Sequence, residues 1–261
     1  MATTIDNRAI VGPKAQIGDN VVVGQNTIIE DDVVIGSGTM IASNVLIANG
    51  TRLGKDCRIH HGAVLGTQPQ DLKFRGEVTT LEVGDHTVIR EYATLNRGTS
   101  SNWKTTVGNH CFLMAYTHVA HDCIVGNHVI LANSVNMGGH VVIEDYAVIG
   151  GLVGIHQFSH IGCHTMVGAS SLVTKDVPPY VLASSDPPAY TGLNIVGLRR
   201  RNFSKQAIDI LDKAYHLLYH SQLNVTQALQ KIKAEIQMTD EVRHVVEFIE
   251  RSKRGIIWTR R

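Results

Sequence analysis

The run HVAHDCIVGN, residues 118–127, sets two histidines three apart, then an acid, then a cysteine. Residues of these types at this spacing admit several chemistries. His118 and His121, with a third nitrogen from another segment or another chain, could hold zinc and leave its fourth position open. Cys123 could be a nucleophile with His121 as its base. His121 alone could act as a general base, because an imidazole with a pKa of about 6.5 takes a proton from a hydroxyl near neutral pH. The bland alternative is packing.

The element that carries these residues narrows the choice. Cut into sixes from Ile5, the chain reads IDNRAI, VGPKAQ, IGDNVV, VGQNTI and onward without a slip to LGTQPQ at residue 65. The register returns at VGDHTV (83) and runs unbroken again from VGNHCF (107) to VTKDVP (173), giving 26 hexads whose first residue is always aliphatic or Met. The fifth residue is nearly always small or β-branched. A strict period of six fits neither an amphipathic helix nor simple strand alternation; it fits a short strand plus a corner, repeated. Three such strands close an 18-residue coil, and coils stack about 4.8 Å apart. The expected fold is a parallel β-helix over residues 1–180, a triangular prism with aliphatic ladders inside. Two stretches, 70–81 and 101–106, put bulky or charged residues where the ladder wants aliphatics and are expected to project as loops, where function is usually placed. Beyond Pro178-Pro179, residues 181–261 read as a turn-rich linker and a helical domain. Ser204 is the expected N-cap of a helix burying Ile208, Leu211, Tyr215 and Leu218, with further helices starting near Thr226 and Asp240.

The period then serves as a ruler. Residues 18 apart stack, so His121 lies under Gly139, with His140 beside it, and two coils below Gln157, with His156 beside that. His118 faces the same corner. Cys123 sits at the fifth, inward hexad position, as do Cys57 and Cys111, and a thiol buried in an apolar ladder is inert. Asp122 is a weaker candidate to hold the His121 tautomer, because neighbouring strand residues point to opposite faces. Gly139, lacking a side chain, lets its N–H approach a developing oxyanion closely.

Composition excludes other classes. A formal net charge of +1 gives no reason to expect nucleic-acid binding. No apolar run approaches a membrane span, and MATTIDNRAIVGPK lacks the basic and apolar regions of a signal peptide, so a cytoplasmic protein without stable membrane insertion is expected. The four cysteines show no paired spacing that would indicate a zinc ribbon or a disulfide framework.

Taken in order, QDLKFRGE, HVAHDCIVGN, GGHV, IGGLVGIHQF, DVPPYV and NIVGLRRRNFS resemble the UDP-N-acetylglucosamine acyltransferase family of lipid A biosynthesis, over essentially the whole chain. The resemblance implies a left-handed β-helix, an exception to right-handed crossovers, working as a homotrimer with active sites between subunits. It implies transfer of a (R)-3-hydroxyacyl chain from acyl carrier protein to the 3-hydroxyl of UDP-N-acetylglucosamine, with no metal or other cofactor. It makes His121 the general base and Gly139 the oxyanion donor. Gln70, Asp71 and Lys73 would hold the sugar and the acyl 3-hydroxyl, and His118, His140, His156 and Gln157 would line the sugar pocket. Asn194, Arg200 and Arg201 would reach the nucleotide, where guanidinium forks suit phosphate, with Arg199 to Arg201 also offering a patch for the acidic carrier. Two positions depart: Val196 stands where the family commonly has Glu, and Ala169, at a position that helps set acyl length, implies a chain somewhat shorter than glycine there would permit.

Overall fold

A computed structural model describes residues 2–259. Short strands, parallel except for the last of the first wall, stack into three walls of eleven, nine and eight strands, visited in rotation. Within an uninterrupted stretch the partners are 18 residues apart, as in Ile41↔Ile59 and Leu131↔Ile149. The two loops lengthen their coils without breaking the rotation, so Arg58 pairs with Val88 and His118 with Thr94. This is the left-handed hexapeptide β-helix.

First-position aliphatics such as Ile47, Leu65, Ile89, Leu95, Leu113 and Leu131 are completely buried, and the fifth-position column fills the space between them. Several threonines there pass their hydroxyls to the next coil: Thr27 Oγ1 donates to the Ala42 carbonyl at 2.7 Å and Thr39 Oγ1 to that of Gly54 at 3.0 Å. The fourth residue of most hexads turns the corner in the left-handed region, at φ +59° for Asn20, +58° for Asn44, +59° for Asp122 and +61° for His140. Asn, Asp and His tolerate that region better than most residues. Stacked fourth positions form columns: His86, His110, His128, Tyr146 and His164 lie ring on ring at 4.6–4.8 Å, close to the coil rise.

Three sequence expectations need correction. The projecting parts of the two loops end at Thr79 and Trp103, because Thr80–Val83 and Lys104–Val107 are strands paired with each other. Residues 181–193 are more than a linker: Val181–Ser184 extends the first wall in parallel and Ala189–Leu193 pairs back antiparallel. The basic run lies in an unforeseen short helix, α1 (Ile195–Arg200), capped by Asn194. Helix α2 (Lys205–His220) begins at Ser204 and buries Ile208, Leu211, Tyr215 and Leu218. Helices α3 (Val225–Glu235) and α4 (Asp240–Arg251) are capped by Asn224 and Thr239. The tail docks on the last coils, where the Tyr215 hydroxyl donates to the Pro179 carbonyl at 2.6 Å.

Candidate active site

His121 stands at the corner between the second and third walls, just after strand His118–Val119. Its imidazole lies flat against Gly139. A Cβ on that glycine would sit 2.6 Å from His121 Cε1 and 2.7 Å from Nε2, so any other residue would displace the ring. At the corner between the third and first walls, the N–H of Asn109 is taken by Asn127 Oδ1 and that of Asn127 by Asp145 Oδ1, one coil on each time. In the His121 column the residue one coil beyond Gly139 is Gln157, which does not play that part. Among the described residues the Gly139 N–H donates to no hydrogen bond.

Asp122 is almost completely buried and holds the other side of the imidazole, with Oδ2 2.7 Å from His121 Nδ1. The strand-alternation argument against it fails because Asp122 is a corner residue, not a strand residue. Its carboxylate also accepts the Thr99 N–H at 2.9 Å, the Thr99 hydroxyl at 2.6 Å and the Asn102 N–H at 3.2 Å. Burial alone would raise its pKa, but the hydrogen bonds from Thr99 and His121 outweigh burial and hold the carboxyl below its usual range. An ionised Asp122 fixes the proton on Nδ1 and leaves the Nε2 lone pair free. Thr99 and Asn102 come from the second loop, and Thr105 Oγ1 accepts the Asp122 N–H at 2.8 Å. Sequence reasoning missed all three; the only signal was that loop's place one coil before His121.

His140 packs edge-on to His121, with centroids 5.2 Å apart, and its Nε2 is 3.7 Å from Asp122 Oδ2. It stacks on Phe158 at 4.5 Å, and burial pushes its pKa down. His118 Nδ1 meets Thr94 Oγ1 at 2.7 Å, and its pKa is lowered by burial and then by His121. Two neutral imidazoles thus flank His121. Donor atoms of His121, Asp122 and His140 lie within 4.8 Å of one another, a set of types that could ligate a cation. The Asp122 carboxylate is already engaged by the Thr99, Asn102 and His121 donors, so its geometry is that of an orienting group. Cys123 is fully buried, its thiol pushed up to about 12 by burial, and it donates to the Gly138 carbonyl.

The other sequence candidates fall into groups. Asp71 and Lys73 lie on the first loop at the His121 corner; Asp71 Oδ1 accepts the Lys73 N–H at 2.9 Å, and Asp71 is near enough to His140 to act on its charge. Gln70 lines a cleft of about 680 Å³ beneath that loop with Glu30, Asp32, Glu77 and Arg97. His121 is not among its walls, and an excess of carboxylates suits a diphosphate poorly. His156 and Gln157 are exposed on the His121 edge, two coils on. Asn194, Arg200 and Arg201 are not at this corner. Asn194 caps α1 and donates to the His164 carbonyl at 2.9 Å, and Arg201 lies 4.4 Å over the Tyr146 ring, both at the corner between the third and first walls. Ala169 is exposed at the remaining corner, after strand Met166–Val167.

Comparison with known proteins agrees with this architecture. A family profile described as UDP N-acetylglucosamine O-acyltransferase, domain 2, matches residues 176–257, and one for bacterial transferase hexapeptide repeats matches 32–67 and 104–139. The acyl-[acyl-carrier-protein]–UDP-N-acetylglucosamine O-acyltransferase of Aquifex aeolicus is 53% identical over 194 residues, 74% of each chain. That of Thiobacillus denitrificans is 42% identical over 194 residues, 74% of this chain and 75% of its own. The chain belongs to the UDP-N-acetylglucosamine O-acyltransferase family. The crystal structure of the family member from Bacteroides fragilis superposes with a TM-score of 0.96 at 44% identity, covering 97% of this chain and all of that one. The match therefore includes the helical tail as well as the prism.

Proposed function

We propose that this acyltransferase moves a (R)-3-hydroxyacyl group from acyl carrier protein to the 3-hydroxyl of UDP-N-acetylglucosamine, directly and without a metal or an acyl-enzyme. The observation that carries the reading is the His121 imidazole clamped between Asp122 and Gly139, its Nε2 free. Nε2 takes the proton of the sugar hydroxyl as its oxygen attacks the thioester carbonyl. The Gly139 N–H faces the oxyanion that forms. When the C–S bond breaks, the imidazolium returns the proton to the departing thiolate of the carrier. Asp122 stabilises the imidazolium throughout, and neutral His118 and His140 add no competing positive charge.

Substrate recognition requires further copies of the chain in this reading. His121, the Asn194–Arg201 arm and Ala169 occupy three different corners of one prism. A three-fold assembly sets one copy's corner against another's, so that Arg200 and Arg201 of a neighbour reach the diphosphate of a sugar bound at His121. Exposed apolar side chains at these edges support such packing: Leu72 is 98% and Val78 88% exposed on the first loop. Asp71 and Lys73 on the same loop then close over the sugar. No helix among the described residues is long and apolar enough to cross a membrane, which suits an enzyme meeting its carrier protein in the cytoplasm.

The test is transfer from a panel of (R)-3-hydroxyacyl carrier proteins to UDP-N-acetylglucosamine. His121→Ala lowers kcat by roughly 10²–10⁴, whereas Cys123→Ala leaves it nearly unchanged. The opposite ranking would make Cys123 the nucleophile, and no turnover with any donor would remove the assignment.

A further inference from the structure

Three of the four cysteines face the interior ladder: Cys57, Cys111 and Cys123 are 0–1% exposed at fifth hexad positions. Cys163 does not. It is a third-position residue at the corner between the third and first walls, partly exposed. The column below it has a regular construction, in which each third residue's side-chain oxygen accepts the N–H of the third residue one coil earlier. Lys55 donates to Asp85 at 2.7 Å, Asp85 to Asn109 at 2.8 Å, Asn109 to Asn127 at 2.9 Å and Asn127 to Asp145 at 2.7 Å. At the next coil a sulfur replaces the oxygen. The N–H of Cys163 turns to Glu144 Oε2 at 2.9 Å.

The same Glu144 oxygen lies 2.7 Å from His244 Nε2, which arrives on α4 from 100 residues downstream. A sulfur, an imidazole nitrogen and a carboxylate oxygen thus lie within 4.8 Å of one another, from two adjacent coils and a helix of the tail. An ion pair docking α4 on the prism needs only Glu144 and His244. It does not call for a thiol in place of the column's oxygen. The His244 and Glu144 side chains are 31% and 24% exposed, so solvent ions reach the cluster.

We propose that Cys163, His244 and Glu144 form a zinc site that fastens α4 to the last coils. One thiolate, one imidazole and one carboxylate suit zinc, whereas magnesium and calcium want all-oxygen shells. Tetrahedral zinc holds such donors roughly 3.3–3.6 Å apart, so the Glu144–His244 pair opens slightly to admit the ion as the sulfur closes in, and water takes the fourth position. Zinc takes sulfur as thiolate and imidazole in its neutral form, so binding competes with protons and is weaker in acid. The site lies on a different edge from His121. Its role is to tie the tail to the prism, not to enter acyl transfer.

The full-length protein, stripped with chelator, is titrated with Co²⁺ as a spectroscopic stand-in for Zn²⁺. The expected result is one Co²⁺ per chain with a thiolate-to-cobalt band in the near ultraviolet and tetrahedral bands in the visible, all abolished by Zn²⁺. Zn²⁺ also slows alkylation of Cys163, the one cysteine that is not fully buried, at least tenfold and raises the melting temperature. Cys163→Ser loses the ultraviolet band and the melting shift while keeping wild-type acyltransferase activity. Absence of a thiolate band in wild type, its persistence in Cys163→Ser, or alkylation unaffected by Zn²⁺ would overturn the site. The alkylation arm reads the wild-type chain, so it decides even where a substitution unsettles the tail.

Discussion

Gly139→Ala tests the site at its narrowest point. Gly139 does not have the positive φ that would make alanine strained, so the backbone accepts the substitution and keeps its N–H. The new methyl, however, would lie 2.6 Å from His121 Cε1. Carbon atoms in contact sit about 3.5–4.0 Å apart, so the imidazole must retreat by roughly 1 Å. It cannot do so and keep its 2.7 Å hydrogen bond to Asp122, whose carboxylate is anchored by Thr99 and Asn102. A displacement of that size in a catalytic group costs about 10² in rate, equivalent to about 2.7 kcal/mol on the barrier. Steady-state kinetics with the preferred acyl carrier protein should therefore show kcat down about a hundredfold, with KM for UDP-N-acetylglucosamine little changed. The melting temperature should stay near wild type, because the methyl meets a side chain at the rim of the core and no buried backbone. A variant within threefold of wild-type kcat would refute the reasoning, since it would mean that Gly139 contributes only its N–H and that the imidazole has room to spare.

Asp122→Asn should lower kcat by roughly 10²–10⁴, because the amide fills the same space but neither fixes the Nδ1 proton nor offsets an imidazolium; unchanged kcat with intact folding would remove Asp122 from the mechanism. Mixing His121→Ala with Arg201→Ala subunits at equal amounts, after dissociation and reassembly, should restore about a quarter of wild-type activity if each site takes His121 and Arg201 from different copies at random; no recovery would place both in one chain's site. Stability should fall on both sides of neutrality. Burial, with Arg201 nearby, depresses His164 to about 4, so the unfolded chain binds the extra proton between about pH 6.5 and 4 and stability is lost as pH falls through that window. The nearby Cys163 sulfur and the hydrogen-bonded Glu144 carboxylate raise His244 to about 10, so its contribution is lost as pH rises from about 6.5 to 10. Melting temperatures across pH 4–10 check this, with His164→Asn flattening the acid limb and a flat profile in the wild type contradicting it.

The hexad makes the fold legible because inward residues of a stacked coil have no alternative environment: a polar or bulky side chain at the first position has nowhere to go. That is why the burial of Cys123 in the ladder and the alignment of His121 with Gly139 can be read from numbering alone. The fourth position carries a further signal. Asn20, Asn26, Asn44, Asp56, His86, His110 and Asp122 recur there because the corner is left-handed, and that recurrence removes the strand-alternation objection to Asp122. SNWKTT looks like a broken hexad because Ser101 is not aliphatic. Yet its fifth residue, Thr105, is fully buried and takes the Asp122 N–H. What the period cannot supply is the path of the projecting residues, so the donors from Thr99 and Asn102 become visible only in three dimensions.

The same arithmetic bears on how many chains make a site. Three hexads complete a coil, so residues a whole number of coils apart share a corner and all others do not. The hexad of His121 begins at Val119 and that of His164, which the Asn194 amide contacts, at Ile161; the 42 residues between them are seven hexads, two coils and one corner further on. The hexad of Ala169 begins at Val167, eight hexads on, two coils and two corners away. A rigid prism with a fully buried aliphatic core cannot rotate one corner onto another. If His121, the arginine arm and Ala169 serve one substrate, different copies must contribute them, and complementation between singly substituted subunits is the measurement on which the shared site stands or falls.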